Sequence, residues 1–146
     1  MSSENKQTLI RFIEEVWNRG DLDRIAGFVA LSYTVFHDPG DPWDGKVLEE
    51  EGLRERIRIS RAPFPDQRFE PVHMIAEGDN VVFAWTWRAA HRGDFPGFPA
   101  TNKVITMSGV TVYTFENGKI AGHWQVADRL GVFQQLSAMT RSNDDA

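Results

Sequence analysis

The sequence predicts an α+β domain: helices first, then a curved antiparallel sheet that they cover on its concave face. Three observations carry this. Apolar residues recur at helical spacing through the first part of the chain. From Phe69 onward, strand-like runs alternate with turn chemistry. The longest of them, Val104 to Asp128, contains Asn117-Gly118, the pair a two-residue type I′ hairpin requires. Helices segregated from an antiparallel sheet give this class. Such a sheet encloses a cone whose open end is a natural pocket.

Each element follows from its residues. Leu9, Ile10, Phe12, Ile13, Val16 and Trp17 form one helical stripe, with Ser3 as N-cap and Gly20 as the stop. Asp21 then caps a second helix carrying Leu22, Ile25, Phe28 and Val29. Tyr33 to His37 reads as a short strand. Residues 38–45, DPGDPWDG, are turn chemistry throughout. The spacing of Asp38, Asp41 and Asp44 does not suit a calcium loop, so turn and capping roles are expected. Glu49 to Arg61 reads as a third helix, acidic at its start and basic at its end. Phe69–Glu77 and Asn80–His91 read as strands around Gly78-Asp79, and residues 92–102 as an irregular loop. With Glu116 paired to Lys119, regular pairing puts Phe115 opposite Ile120, Tyr113 opposite Gly122, Thr111 opposite Trp124 and Met107 opposite Asp128. Leu130, Phe133, Leu136 and Met139 suggest a short closing helix. The expected organisation is one domain over 1–140 and a disordered tail over 141–146.

Composition narrows the function. The 146 residues are 41% hydrophobic and 25% charged, with a net charge of −5. That balance, without a basic stripe, argues against a nucleic-acid partner. No apolar run is long enough to span a membrane. There is no cysteine, which fits a cytoplasmic location and removes thiolate chemistry. No paired-histidine metal spacing, nucleophile elbow or phosphate-binding glycine pattern occurs. Neither a metal nor a cofactor is expected.

The ordered pieces FPD (64–66), AEGD (76–79), His91 with GDFPGF (93–98), SGVTVYTF (108–115), NGKI (117–120), and His123-Trp124 with Asp128 and QQL resemble the SnoaL-like polyketide cyclases of the NTF2-like superfamily. WNRGDLD at the end of the first helix is similar too. The resemblance covers roughly residues 5–137. It implies a cone-shaped α+β barrel, a homodimer, and a hydrophobic pocket for a small apolar or polycyclic ligand. It also implies that a carboxylate at the position of Asp128 acts as general base in an intramolecular aldol closure, without cofactor. Ala89-Ala90-His91 departs from the family's common Gly-Thr-His, and Thr114 stands where an Arg is common.

Asp128 is therefore the first candidate. A carboxylate enclosed by apolar walls titrates upward, toward the range a general base needs. The plain alternative is the N-cap of the helix that follows, and both roles can coexist. His91 and His123 are the other catalytic candidates. In a regular strand His123 faces away from Asp128 and reaches the same side only through a bulge. His37, Trp17, Phe12, Phe64, Trp87, Met107 and Trp124 are the candidate pocket lining, several of them core residues by type. Tyr33 and Tyr113 are candidate donors to an enolate oxygen. The leading expectation is a cyclase or isomerase. The alternatives are a binding or interaction module without turnover, and an epoxide hydrolase or dehydratase with a second acid or a His–Asp dyad.

Overall fold

The structure is a computed structural model and describes residues 2–144, with side chains described through residue 139. α1 (Ser2–Phe12) runs on into π-helical turns over Ile13–Asn18. A short 3-10 turn leads to α2 (Ile25–Phe28), β1 (Val29–His37), β2 (Val47–Leu48) and α3 (Glu50–Arg61). β3 (Arg68–Glu77), β4 (Asn80–Ala90), β5 (Val104–Glu116) and β6 (Lys119–Ala127) follow, then α4 (Arg129–Asp144). The six strands form one sheet in the order β2-β1-β6-β5-β4-β3. β1 pairs parallel to β6; the neighbours from β6 to β3 are antiparallel. This is the expected α+β, NTF2-like architecture.

Alternation sorts the two faces of the sheet. Val81, Phe83, Trp85 and Trp87 of β4, with Thr111, Tyr113 and Phe115 of β5, are buried under the helices. Leu9, Phe12, Ile13 and Val16 fill the concavity from the α1 side, and Leu53 and Ile57 from α3. Asn18 ends the π-helical turns inside the fold. Its side chain accepts from Phe69 N at 2.7 Å and donates to Phe69 O at 3.1 Å, which ties this helix end to the edge strand β3.

Several local expectations are corrected. The second helix is a single α-turn after a 3-10 turn, and the Asp21 side chain makes no capping hydrogen bond. β1 begins at Val29, earlier than Tyr33, because it pairs along β6. The closing helix is longer than expected, 16 residues over Arg129–Asp144. Residues 145 and 146 lie outside the described residues.

The most consequential correction is register. Glu116↔Lys119 and Phe115↔Ile120 hold, but Tyr113 lies opposite His123 and Thr111 opposite Gln125. Thr114 pairs with Gly122, so Ala121 is an extra residue on β6. Gly122 permits this. A Cβ there would lie 2.4 Å from Thr34 O and 2.6 Å from the Phe36 ring. The bulge turns His123 to the helix-covered face and Trp124 to the outer one.

Candidate functional site

The bulge completes a buried polar network supplied by six elements and the turn after β1. His123 is 2% exposed and Asp38, just past the end of β1, is fully buried. His123 Nε2 lies 2.8 Å from Asp38 Oδ2. Tyr33 Oη lies 2.5 Å from His123 Nδ1. An ionised carboxylate only accepts, so His123 donates from Nε2, and Nδ1 is left to accept the Tyr33 hydroxyl proton. Asp38 also receives Arg56 Nη2 from α3 at 3.1 Å, Arg129 Nη2 from α4 at 2.8 Å, and Gln125 Nε2 at 3.2 Å. Arg56 bridges to Asp41 at 3.0 Å, and its guanidinium lies 5.7 Å from the Trp17 ring centre. Gln125 continues the chain to Thr111 at 2.6 Å, which accepts from Trp85 Nε1 at 2.9 Å.

The electrostatics fit this arrangement. Burial alone would raise the Asp38 carboxyl; the His123 hydrogen bond and the charges of Arg129 and Arg56 outweigh it and hold the group below its ordinary value. Desolvation pushes His123 below its ordinary value, against the pull of Asp38, and Arg56 adds to the fall. Desolvation, reinforced by Tyr113, raises Tyr33 well above the ordinary phenol range. At neutral pH the chain of groups is therefore phenol, neutral imidazole and carboxylate. Buried Arg56 and half-buried Arg129 balance Asp38 and Asp41.

Asp128 lies elsewhere. It is exposed, and its Oδ1 accepts the Gly131 amide at 2.9 Å, the N-cap bond of α4. It lines a groove of about 380 Å³ with Trp87, Met107, Thr86, Arg88 and Ser108. The polar lining residues have the outward parity of their strands. The groove thus opens on the outer side of the sheet end, beside α4, and not into the helix-covered interior. Gln135 of α4 bridges the Thr106 backbone there, accepting from N at 2.9 Å and donating to O at 2.7 Å, where β5 extends beyond β6.

Trp87 and Met107 border the same groove as Asp128, but both have the inward parity of their strands and their side chains pack with the core; the other candidates lie apart. Phe12 and Phe64 are core residues, the first packed edge-on to Tyr113 and the second to Trp87. The Trp17 carbonyl accepts from Arg61 and Gln67, both at 2.9 Å. His37 stacks on Trp124 at 4.6 Å and 11°, and Trp124 is 45% exposed. His91 is buried at the end of β4 with Nδ1 3.2 Å from Thr101 Oγ1, and desolvation lowers it. Among the described residues no three His, Asp or Glu side chains cluster as metal ligands. Asp41 and Asp44 take the expected turn roles, accepting Trp43 N and Asp38 N. Asp38 does more than close a turn. The sequence signal for it is DPGD followed by an arginine-rich helix.

Comparison with known proteins settles the family. The model of the SnoaL-like polyketide cyclases matches residues 7–136. The chain belongs to that family. It is 24% identical over 133 residues to aklanonic acid methyl ester cyclase of Streptomyces peucetius, covering 88% of each. A crystal structure of a candidate polyketide cyclase from Acidithiobacillus ferrooxidans is 49% identical, with a TM-score of 0.91 over 95% of this chain and 98% of that one. IdmH of Streptomyces antibioticus shares the fold at 24% identity, with a TM-score of 0.77 over 91% and 98% of the two chains.

Proposed function

We propose that this chain is a cofactor-free enzyme that removes a proton next to a carbonyl in a small apolar molecule, leading to aldol ring closure or isomerisation. The observation that carries this is Asp128 on the wall of the outer groove with Thr86, Arg88, Thr106 and Ser108. An exposed carboxylate on the groove wall is placed to meet an acidic C–H. Arg88 and the hydroxyls of Thr86, Thr106 and Ser108 supply donors for the oxygen that gains charge. The groove volume falls within the range of small-molecule sites.

The test is Asp128→Asn, assayed with aklanonic acid methyl ester, the compound named for the S. peucetius relative. Asn caps a helix about as well as Asp, so the variant separates base from cap. Turnover should fall about 10²–10⁴-fold. A variant within threefold of the parent would remove Asp128 as the base.

One observation favours a second reading. Epoxide hydrolysis or dehydration calls for a second acid or a His–Asp dyad converging on the pocket; His123 and Asp38 form such a dyad, buried in the interior rather than at the groove. Loss of activity in His123→Gln, with Asp128→Asn unaffected, would select that reading. The homodimer is likewise a proposal, supported by the family resemblance and by the outer-face residues Val110, Trp124 and Val126, each at least 42% exposed. The lack of cysteine supports a cytoplasmic location, and the net charge of −5 supports a partner other than nucleic acid. No helix among the described residues is long and apolar enough to cross a membrane.

A further inference from the structure

We propose that Arg129 is a positioning residue that holds Asp128 in place by anchoring the first turn of α4 to the buried carboxylate of Asp38. This rests on the reading of Asp128 as the base. Arg129 is the residue after Asp128 and the first of α4. It points the other way, toward β1. Its Nη2 meets Asp38 Oδ1 at 2.8 Å and its Nη1 donates to Pro39 O at 2.7 Å. Asp41 lies at 3.7 Å. The guanidinium thus has a charged acceptor and a backbone acceptor at fixed places.

The turn after β1 is shaped for this side chain. A Cβ at Gly40 would lie 3.0 Å from Arg129 Cδ, and Gly40 has φ +90°. Glycine is the residue for both demands. Asp38 cannot yield, because Arg56 from α3 and His123 and Gln125 from β6 hold it. A rigid buried network therefore reaches the end of β6, where the chain leaves the sheet. Arg129 carries that rigidity one residue back to Asp128. Without it, the start of α4 depends on the Asp128 cap, on Gln135, and on the buried Val132 and Leu136. Misplacing a catalytic group by about 1 Å costs on the order of 10²-fold in rate.

The experiment compares Arg129→Met and Arg129→Lys with the parent and with Asp128→Asn. The first readout is amide exchange at Gly131, whose N–H bonds Asp128 Oδ1. In Arg129→Met it should rise at least about tenfold, with the amides of β4 and β5 unchanged; Lys, lacking the planar fork, should recover only part. The second is turnover of aklanonic acid methyl ester: kcat should fall about 10- to 100-fold with KM within threefold, and added guanidinium ion should restore part of it in Arg129→Gly. Unchanged Gly131 exchange in Arg129→Met overturns the proposal. So does full kcat in that variant when Asp128→Asn is inactive. If Asp128→Asn stays active, the reading of Asp128 as base fails by itself, and Gly131 exchange still decides whether Arg129 anchors the helix. If the parent does not turn over this ester, or Arg129→Met does not fold, exchange at Gly131 in Arg129→Lys decides: parent-like exchange across the whole pH range overturns the proposal, and partial loosening supports it.

Discussion

Replacing Asp38 with Ala should destabilise the protein more than any loss of a surface acid. The carboxylate is fully buried and accepts from His123, Arg56, Arg129 and Gln125. Removing it strands two cations. Arg56, 5% exposed, keeps Asp41 at 3.0 Å. Arg129, 27% exposed, keeps Pro39 O and is partly hydrated, so its share is discounted. The His123 Nε2–H loses its acceptor inside the fold. Breaking a buried ion pair from one side costs about 3–5 kcal/mol. Asp38→Asn retains an oxygen acceptor and should cost about 1.5–3 kcal/mol, the range for hydrogen bonds to charged groups. Urea unfolding followed by circular dichroism measures both. With a slope of about 2 kcal/mol/M, the midpoint of Asp38→Ala should drop by about 2 M at unchanged slope. A drop below about 0.5 M would refute the view that this network is a buried, mutually compensating set of charges.

Other perturbations test neighbouring parts. His123 and His91 both titrate below their ordinary value in the fold. The unfolded chain therefore takes up protons first, and each histidine's contribution is lost as pH falls below about 6.5. His123→Gln should remove one of these two contributions, flattening a slope that is at most about 1.4 kcal/mol per pH unit for each histidine, as read from urea midpoints between pH 7 and 5. Gly122→Ala should cost about 1–3 kcal/mol or more, because the new Cβ meets the Thr34 carbonyl 2.4 Å away; differential scanning calorimetry would show a lowered Tm. Asn18→Ala should cost about 2–3 kcal/mol, since both backbone groups of Phe69 lose their side-chain partner; chemical denaturation would measure it. Trp124→Glu should convert the proposed dimer to a monomer of about 16.6 kDa by sedimentation equilibrium.

The fold was legible because local and global signals agree. Asn117-Gly118 sets the hairpin, and the alternation of Val81, Phe83, Trp85 and Trp87 sets the buried face. The site was less legible, for two separable reasons. The first is a single extra residue. Regular pairing from Glu116↔Lys119 places Gly122 opposite Tyr113, yet His123 stands there. Ala121-Gly122 inside a strand was the available sign of a bulge and of close backbone approach. From it follows which ring joins Asp38 and which stacks on His37. The second reason is distance along the chain. Tyr33, Asp38, Arg56, His123 and Arg129 have no shared period and come from β1 and the turn after it, α3, β6 and α4, so no spacing rule collects them.

Val104 to Asp128 thus carries two kinds of chemistry on opposite faces. Its interior side holds a histidine locked between a phenol and a carboxylate. Its outer end holds an exposed carboxylate at a groove. Asp128 as cap and Asp128 as base are compatible, because the cap bond occupies Oδ1 and leaves Oδ2 for a substrate proton. What joins the two faces is Arg129, which begins the helix at the groove and ends its side chain in the interior. Enclosure was the route by which a carboxylate here was expected to become a base. In this structure Asp128 is open to solvent, so in the proposed reading its efficiency as a base rests on fixed placement at the groove, the property that the proposed Arg129 anchor would control.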